Sequence, residues 1–253
     1  MATERMLVWE GLSRLDGETP VIVLATGVPT KGSRSKSGNT KTGDMIQIHI
    51  LLRDVNPTEG LKQGLDPAIC GDCPHRSKAS GGSGGCYTHN NILRGFAQTS
   101  TWKAHQRSGS VPFDVERFRG QRVRFGAYGD PATVPVEVWL AIAAVADGFT
   151  SYTHQWRTAD RRFQQFSMAS TDSIRERRQA REDGWRNFWV LPEGSERPEG
   201  TITCPASEEA GKKIQCADCL MCGGNSARQT RDIVIMAHGS GASKFKSLPL
   251  SVA

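Results

Sequence analysis

The chain has 253 residues, 37% apolar and 23% charged, with a net charge of +6 and a pI near 9.0. That length fits one large domain or two small ones, and the composition excludes a disordered, collagenous or membrane-spanning chain. The excess of positive charge is compatible with a nucleic-acid or other polyanionic partner without requiring one. The first residues, MATERMLVWEGL, contain no apolar leader segment, and no apolar run reaches spanning length, so a cytoplasmic location is expected.

Taken in order, residues 7–27 read LVWEGLSRLDGETPVIVLATG, two apolar segments flanking Asp16-Gly17. Both turn residues tolerate positive φ, which predicts a β-hairpin at one end of the fold. Residues 31–44 are small, polar and basic, with Lys31, Arg34, Lys36 and Lys41. They read either as a solvated loop or as a phosphate-contacting loop, without Walker spacing. Residues 1–44 therefore form an N-terminal hairpin and basic loop, and 45–253 a single barrel-like domain.

Residues 45–52, MIQIHILL, predict a strand with Ile46, Ile48 and Ile50 on one face, and His49 as a packed histidine. A helix is expected over 91–107, anchored by Trp102. Strands follow at 121–128, 150–155, 163–169, 185–191 and 232–237, and helices at 135–147 and 172–182. Six strands alternating with helices or long connections predict parallel βα units. The expected fold is α/β, a partial (β/α)6 TIM-like barrel with the hairpin outside it and a Cys-rich C-terminal insertion.

All seven cysteines fall into two groups. Cys70, Cys73 and Cys86 are spaced C-x2-C-x12-C in the loop 70–89. Cys204, Cys216, Cys219 and Cys222 are spaced C-x11-C-x2-C-x2-C in the stretch 204–224. Clustered thiols without a secretory signal are read as metal ligands before disulfides. The unbroken run Cys216-x2-Cys219-x2-Cys222 suits an iron–sulfur cubane, whose thiolates reach different irons, with Cys204 as fourth ligand. The first group stays open between a three-cysteine cluster and zinc held by Cys70, Cys73, Cys86 and His89.

In parallel α/β folds the reactive groups gather at the carboxyl ends of the strands. Those ends carry the 70–86 loop, Asp130, then His154, Gln155, Trp156 and Arg157. Ser170, Thr171 and Asp172, then Glu193, and finally His238-Gly239-Ser240-Gly241 complete the rim. The catalytic candidates are Asp130, His154, Arg157 and His238. Each has a plain structural reading: Asp130 before Pro131 starts a turn, and residues 170–172 cap a helix.

The combination of GNTKTGD, ICGDCPHR with GGCY, RFGAYGDP, YTHQWR, CPASEEAG with CADCLMC, and AHGSG resembles a family of phage and prophage iron–sulfur proteins described as radical-SAM-like. The resemblance spans about Gly38 to Gly241. It implies that Cys70, Cys73 and Cys86 hold a [4Fe–4S] cluster whose fourth iron binds S-adenosylmethionine, cleaved on reduction to a 5′-deoxyadenosyl radical. It also implies Gly126, Gly129, Asp130 and Ser170 beside that cofactor, an auxiliary cluster on the second group, an electron donor as partner, and a nucleobase or nucleotide as substrate. The triplet C-x2-C-x12-C differs from the usual radical-SAM spacing C-x3-C-x2-C. The alternatives are a nucleic-acid-binding protein with structural zinc, and a zinc-containing transglycosylase-like enzyme with Asp130 as nucleophile.

Overall fold

The computed structural model describes residues 3–30, 39–89, 97–211, 214–227, 230–238 and 242. The strands form two five-stranded sheets, β1-β2-β3-β4-β5 and β6-β7-β8-β10-β9. Their ranges are β1 Thr3–Leu12, β2 Pro20–Pro29, β3 Ile46–Leu52, β4 Arg122–Tyr128, β5 Gly148–Thr150, β6 Tyr152–Thr153, β7 Met168–Thr171, β8 Asn187–Leu191, β9 Thr201–Thr203 and β10 Asp232–Met236. The pairs β3–β4, β4–β5, β6–β7, β7–β8 and β8–β10 are all parallel. Only Ser151 separates β5 from β6, so one run of chain passes from the first sheet into the second. Among the described residues the strands do not close into a barrel.

The N-terminal hairpin is present, but it does not stand apart. β2 pairs antiparallel with β3 from Val21↔Leu52 to Thr26↔Gln47, so the hairpin extends the first sheet. Its loop runs from Ser13 to Thr19. Asp16 serves it through its side chain, accepting from the amides of Glu18 and Thr19 at 3.0 Å, while Gly17 takes φ 77°. Of the basic loop, residues 31–38 lie outside the described residues, as do 91–96 of the expected helix and Gly239, Ser240 and Gly241.

Every residue of β3 is buried, because the sheet is covered on both faces. One face of the first sheet meets an aromatic layer in which Phe125 stacks on Phe149 (5.5 Å) and packs against Trp139 (5.2 Å) and Phe166 (5.7 Å). Trp139 belongs to helix Val136–Ala143, which lies between β4 and β5 in the chain. Its indole donates to the Pro131 carbonyl (2.9 Å). Helix Ala97–Ser108 docks through Trp102, whose Nε1 donates to the carbonyls of Leu52 (3.0 Å) and Arg53 (3.1 Å). His49 is packed as expected, with Thr26 Oγ1 at 3.3 Å, and burial together with Arg124 lowers its pKa to about 4.

The strand expected over 163–169 begins in a turn and becomes a strand only at its end. Residues Arg161–Gln165 form a 3₁₀ helix capped by Asp160, whose carboxylate accepts from the Arg162 amide (2.9 Å). The buried pair Phe163 and Phe166 share a face at that spacing, and the strand begins only at Met168. Helix Ile174–Glu182 carries more than a solvated charged face. Arg177 and Arg181 reach the buried Asp232 at 2.7 and 3.1 Å, and this docks the helix on β10. Strand β9, between β8 and the second cysteine group, has no counterpart in the expected pattern; three residues are too few for a periodic signal.

Candidate metal and cofactor site

The first cysteine loop is shaped by Asp66 and by its own backbone hydrogen bonds. Helix Pro67–Cys70 ends in Cys70, and the preceding Asp66 binds the Ser77 amide and hydroxyl, both at 2.8 Å. This folds the loop back on its origin. The Cys86 amide donates to the His75 carbonyl (3.0 Å), and Ser83 N to Pro74 O (2.9 Å). Cys70, Cys73 and Cys86 are thereby drawn close enough to interact electrostatically. Burial pushes the Cys70 thiol well up, and the neighbouring thiols of Cys73 and Cys86 add to the shift. At Cys86 burial acts in the same direction, but the facing His89 overrides it and brings the thiol down to about 7. His89 thus contacts the cysteine group, where zinc ligation would place it.

The strand ends brace this loop from below. Asp130 accepts three hydrogen bonds, from Ala132 N (2.9 Å), Thr153 Oγ1 (2.7 Å) and His154 N (2.8 Å), and its own amide donates to the Ile69 carbonyl (2.7 Å). Both carboxylate oxygens are engaged, so Asp130 positions its neighbours and is poorly placed to act as a nucleophile. Gly126, within β4 where its register against β3 shifts, takes φ 64°, and Gly129, just after the strand, takes φ 80°. A Cβ on Gly129 would sit 2.7 Å from Ile50 Cβ, and one on Gly126 2.7 Å from the Gly129 carbonyl oxygen. Gln155 links strand and loop by donating to Asp72 Oδ1 (2.7 Å) and the Cys70 carbonyl (3.2 Å).

Above these braces lies a three-residue relay. His75 Nε2 is 2.6 Å from Asp172 Oδ1, and His154 Nε2 is 3.3 Å from Asp172 Oδ2. Cys73 Sγ lies 3.9 Å from His154 Nε2. Burial lowers the basicity of His154, but Cys73 and Asp172 together outweigh it and raise its pKa well above the ordinary value. Burial pushes Asp172 the other way, yet the facing His154 and His75 bring its pKa far below the carboxylate range.

The second cysteine group is wedged between the sheets. Cys216 N donates to the Lys41 carbonyl (3.1 Å) and Ala217 N to the Thr42 carbonyl (2.9 Å), which ties the short helix Cys216–Cys219 to the chain just before β3. Leu220 ends that helix at φ 49°, the one positive-φ non-glycine among the described residues. Arg186 then holds the carbonyls of Met221 (3.0 Å) and Gly224 (2.7 Å). Cys222 feels Cys204, Cys216 and Cys219, so the four thiols converge. Burial raises the pKa of Cys204, Cys216 and Cys222 above the ordinary thiol value.

A cavity of about 420 Å³ joins the two groups, walled by Cys70, Cys73 and Cys86 on one side and Cys204 and Cys216 on the other. Gly126, Gly129, Asp130, His154, Ser170 and His238 also line it, as does His89. Arg124 stands within it and donates to Tyr87 Oη (2.9 Å), lowering the phenol pKa. Exposed His238 lies near the mouth, with Lys41 Nζ at 3.0 Å from its Nε2.

Arg157 is not part of this lining. It lies over the Trp156 ring (4.1 Å) and pairs with Glu176 (2.7 Å), because the chain after His154 turns away from the cavity. Trp156 itself is core, and Glu193 is exposed in the turn after β8. Sequence reasoning assigned no role to His75, Arg124 or Tyr87. The signal available for His75 and Tyr87 was adjacency to Cys73 and Cys86. No family model, curated protein or solved structure matches this chain significantly.

Proposed function

We propose that this chain is an iron–sulfur enzyme of the radical-SAM-like type. On this reading β3, β4, β5 with β6, β7, β8 and β10 form the arc of a partial (β/α)6 barrel. The observation that carries it is one cavity, at the carboxyl ends of parallel strands, walled by two separate groups of thiols. Cys70, Cys73 and Cys86 would hold the first cluster, and Cys204, Cys216, Cys219 and Cys222 the second.

The sequence spacing of the second group, Cys204 followed by the unbroken run Cys216-x2-Cys219-x2-Cys222, supports a cubane cluster over mononuclear zinc there. The contact between His89 and Cys86 favours zinc as a second reading at the first group.

Cys70, Cys73 and Cys86 would hold the cluster, which would supply the reducing electron for cleavage of S-adenosylmethionine. The chain itself contributes the rest. Asp130 and Gln155 fix the loop of Cys70 and Cys73 against the strand ends, and Gly126, Gly129 and Ser170 provide a close-fitting cofactor wall. Arg124 and Lys41 place positive charge in the cavity, which suits an anionic substrate such as a nucleotide or a nucleic-acid segment.

The test is the visible spectrum and metal content of protein purified without oxygen. Brown protein with about eight irons per chain, and release of 5′-deoxyadenosine under reduction, is the expected result. Colourless protein with stoichiometric zinc overturns the reading.

A further inference from the structure

We propose that His75, His154 and Asp172 form a third metal site, a two-histidine-one-carboxylate set for a divalent first-row transition ion, distinct from both cysteine groups. One ligand atom from each of the three lies within 4.8 Å of the other two. Donors held by a common ion at about 2.0–2.2 Å cannot be more than about 4.4 Å apart, so this set needs only a slight adjustment to close around one.

The donor chemistry fits. Two imidazoles and one carboxylate leave open positions on an octahedral or five-coordinate ion, and that ligand type selects iron, manganese, cobalt or zinc in the divalent state. All three residues line the cavity, so those positions face the space a substrate would occupy, where an oxygen donor could complete the shell. The side chains of His75 and Asp172 are only 10% and 6% exposed. A divalent ion held among the three would face the buried Asp172 carboxylate with positive charge, which so buried an anion favours.

The backbone that carries each ligand is also fixed by its neighbours. The His154 amide donates to Asp130 (2.8 Å), which sets the strand end. The Asp172 amide donates to Glu176 Oε2 (2.7 Å), and Glu176 Oε1 accepts from Arg157 (2.7 Å). His75 is set by the Cys86 amide on its carbonyl (3.0 Å). Arg157, an expected catalytic residue outside the cavity, is on this account a positioning residue two contacts behind the ligand Asp172. The three ligands come from the cysteine loop, the end of β6 and the end of β7, so the site exists only when loop and strands are docked.

The site does not depend on the iron–sulfur reading, and the experiment separates them. Protein purified without oxygen, its cysteine centres filled, is titrated with Mn²⁺ while free Mn²⁺ is followed by electron paramagnetic resonance. Manganese is chosen because hard oxygen and imidazole donors suit it and thiolates do not. The expected result is one Mn²⁺ per chain, with affinity reduced at least about 100-fold in Asp172→Asn and in His75→Ala. Circular dichroism checks that each variant is folded; His75 lies on a loop, so His75→Ala keeps the test open if Asp172→Asn does not fold. Cys73→Ser is expected to retain the ion. Absence of stoichiometric binding overturns the proposal. So does equal affinity in His75→Ala, or loss in Cys73→Ser alone.

Discussion

The two sheets are held together by different means. The first sheet and the elements around it have a continuous apolar core, with Val21 to Ala25, Ile46, Ile48, Ile50, Phe125 and Trp139 fully buried. The strands of the second sheet reach that core through Ala169 of β7 and otherwise pack in two small clusters, one of Met168, Cys204, Cys222, Ile233 and Ile235, the other of Trp189, Leu191 and Val234. In the first of these, two of the five core side chains are thiols of the second cysteine group. The first sheet therefore buries hydrocarbon throughout, whereas part of the buried surface of the second is thiol. A metal that binds only the folded state then contributes directly to stability.

The largest effect is expected from breaking this asymmetry. Replacing Cys204 and Cys222 together by Ser should strip metal from the second group and unfold β7–β10, since structural metal binding contributes on the order of 10 kcal/mol in small metallo-domains. Hydrogen exchange should show protection lost there and kept in β2–β4. Replacing Cys70 and Cys73 should remove the first metal with little change in exchange, because that loop is held by Asp66 and by its own backbone bonds. Equal unfolding in both variants would erase the distinction.

A second effect belongs to the first sheet alone. His49 is buried neutral with its pKa lowered from 6.5 to about 4, so the unfolded chain binds the extra proton between those values. Stability is therefore fully present above pH 6.5 and is lost as pH falls to 4, by about 3 kcal/mol. Denaturant unfolding of the wild type and of His49→Gln over that range should differ in slope; parallel curves would show that His49 is accessible to protons.

Asp130→Asn tests the seam between the halves. An amide can accept at one oxygen only, so one of the three bonds to Ala132, Thr153 and His154 turns unfavourable, at a cost of about 1–3 kcal/mol. Metal content should persist, and the His154 ring resonance should broaden. Arg157→Ala is the smallest expected change, about 0.5 kcal/mol for a half-exposed ion pair. A loss several times larger would mean that the Arg157–Glu176–Asp172 chain bears structural load.

Much of this was legible in the residues. The strands at 46–52, 122–128 and 232–236 follow from runs of β-branched and aromatic residues, and the helix at 136–143 from Pro135 at its start. The roles of Asp130 and Arg157 were not, because a carboxylate at a strand end looks the same whether it faces a substrate or three backbone and hydroxyl donors. Phe163 and Phe166 misled for a related reason: an apolar pair at that spacing fits a strand or a turn until the neighbouring cap is seen.

The sequence by itself determined the local elements and the two thiol groups, since periodicity, turn residues and ligand spacing are properties of neighbours along the chain. Tertiary structure decided that both groups face one cavity, and that His75, His154 and Asp172 meet there although His75 and Asp172 are 97 residues apart. Such meetings depend on the order in which parallel strands align their carboxyl ends, and that order is fixed by packing between elements rather than by any one of them.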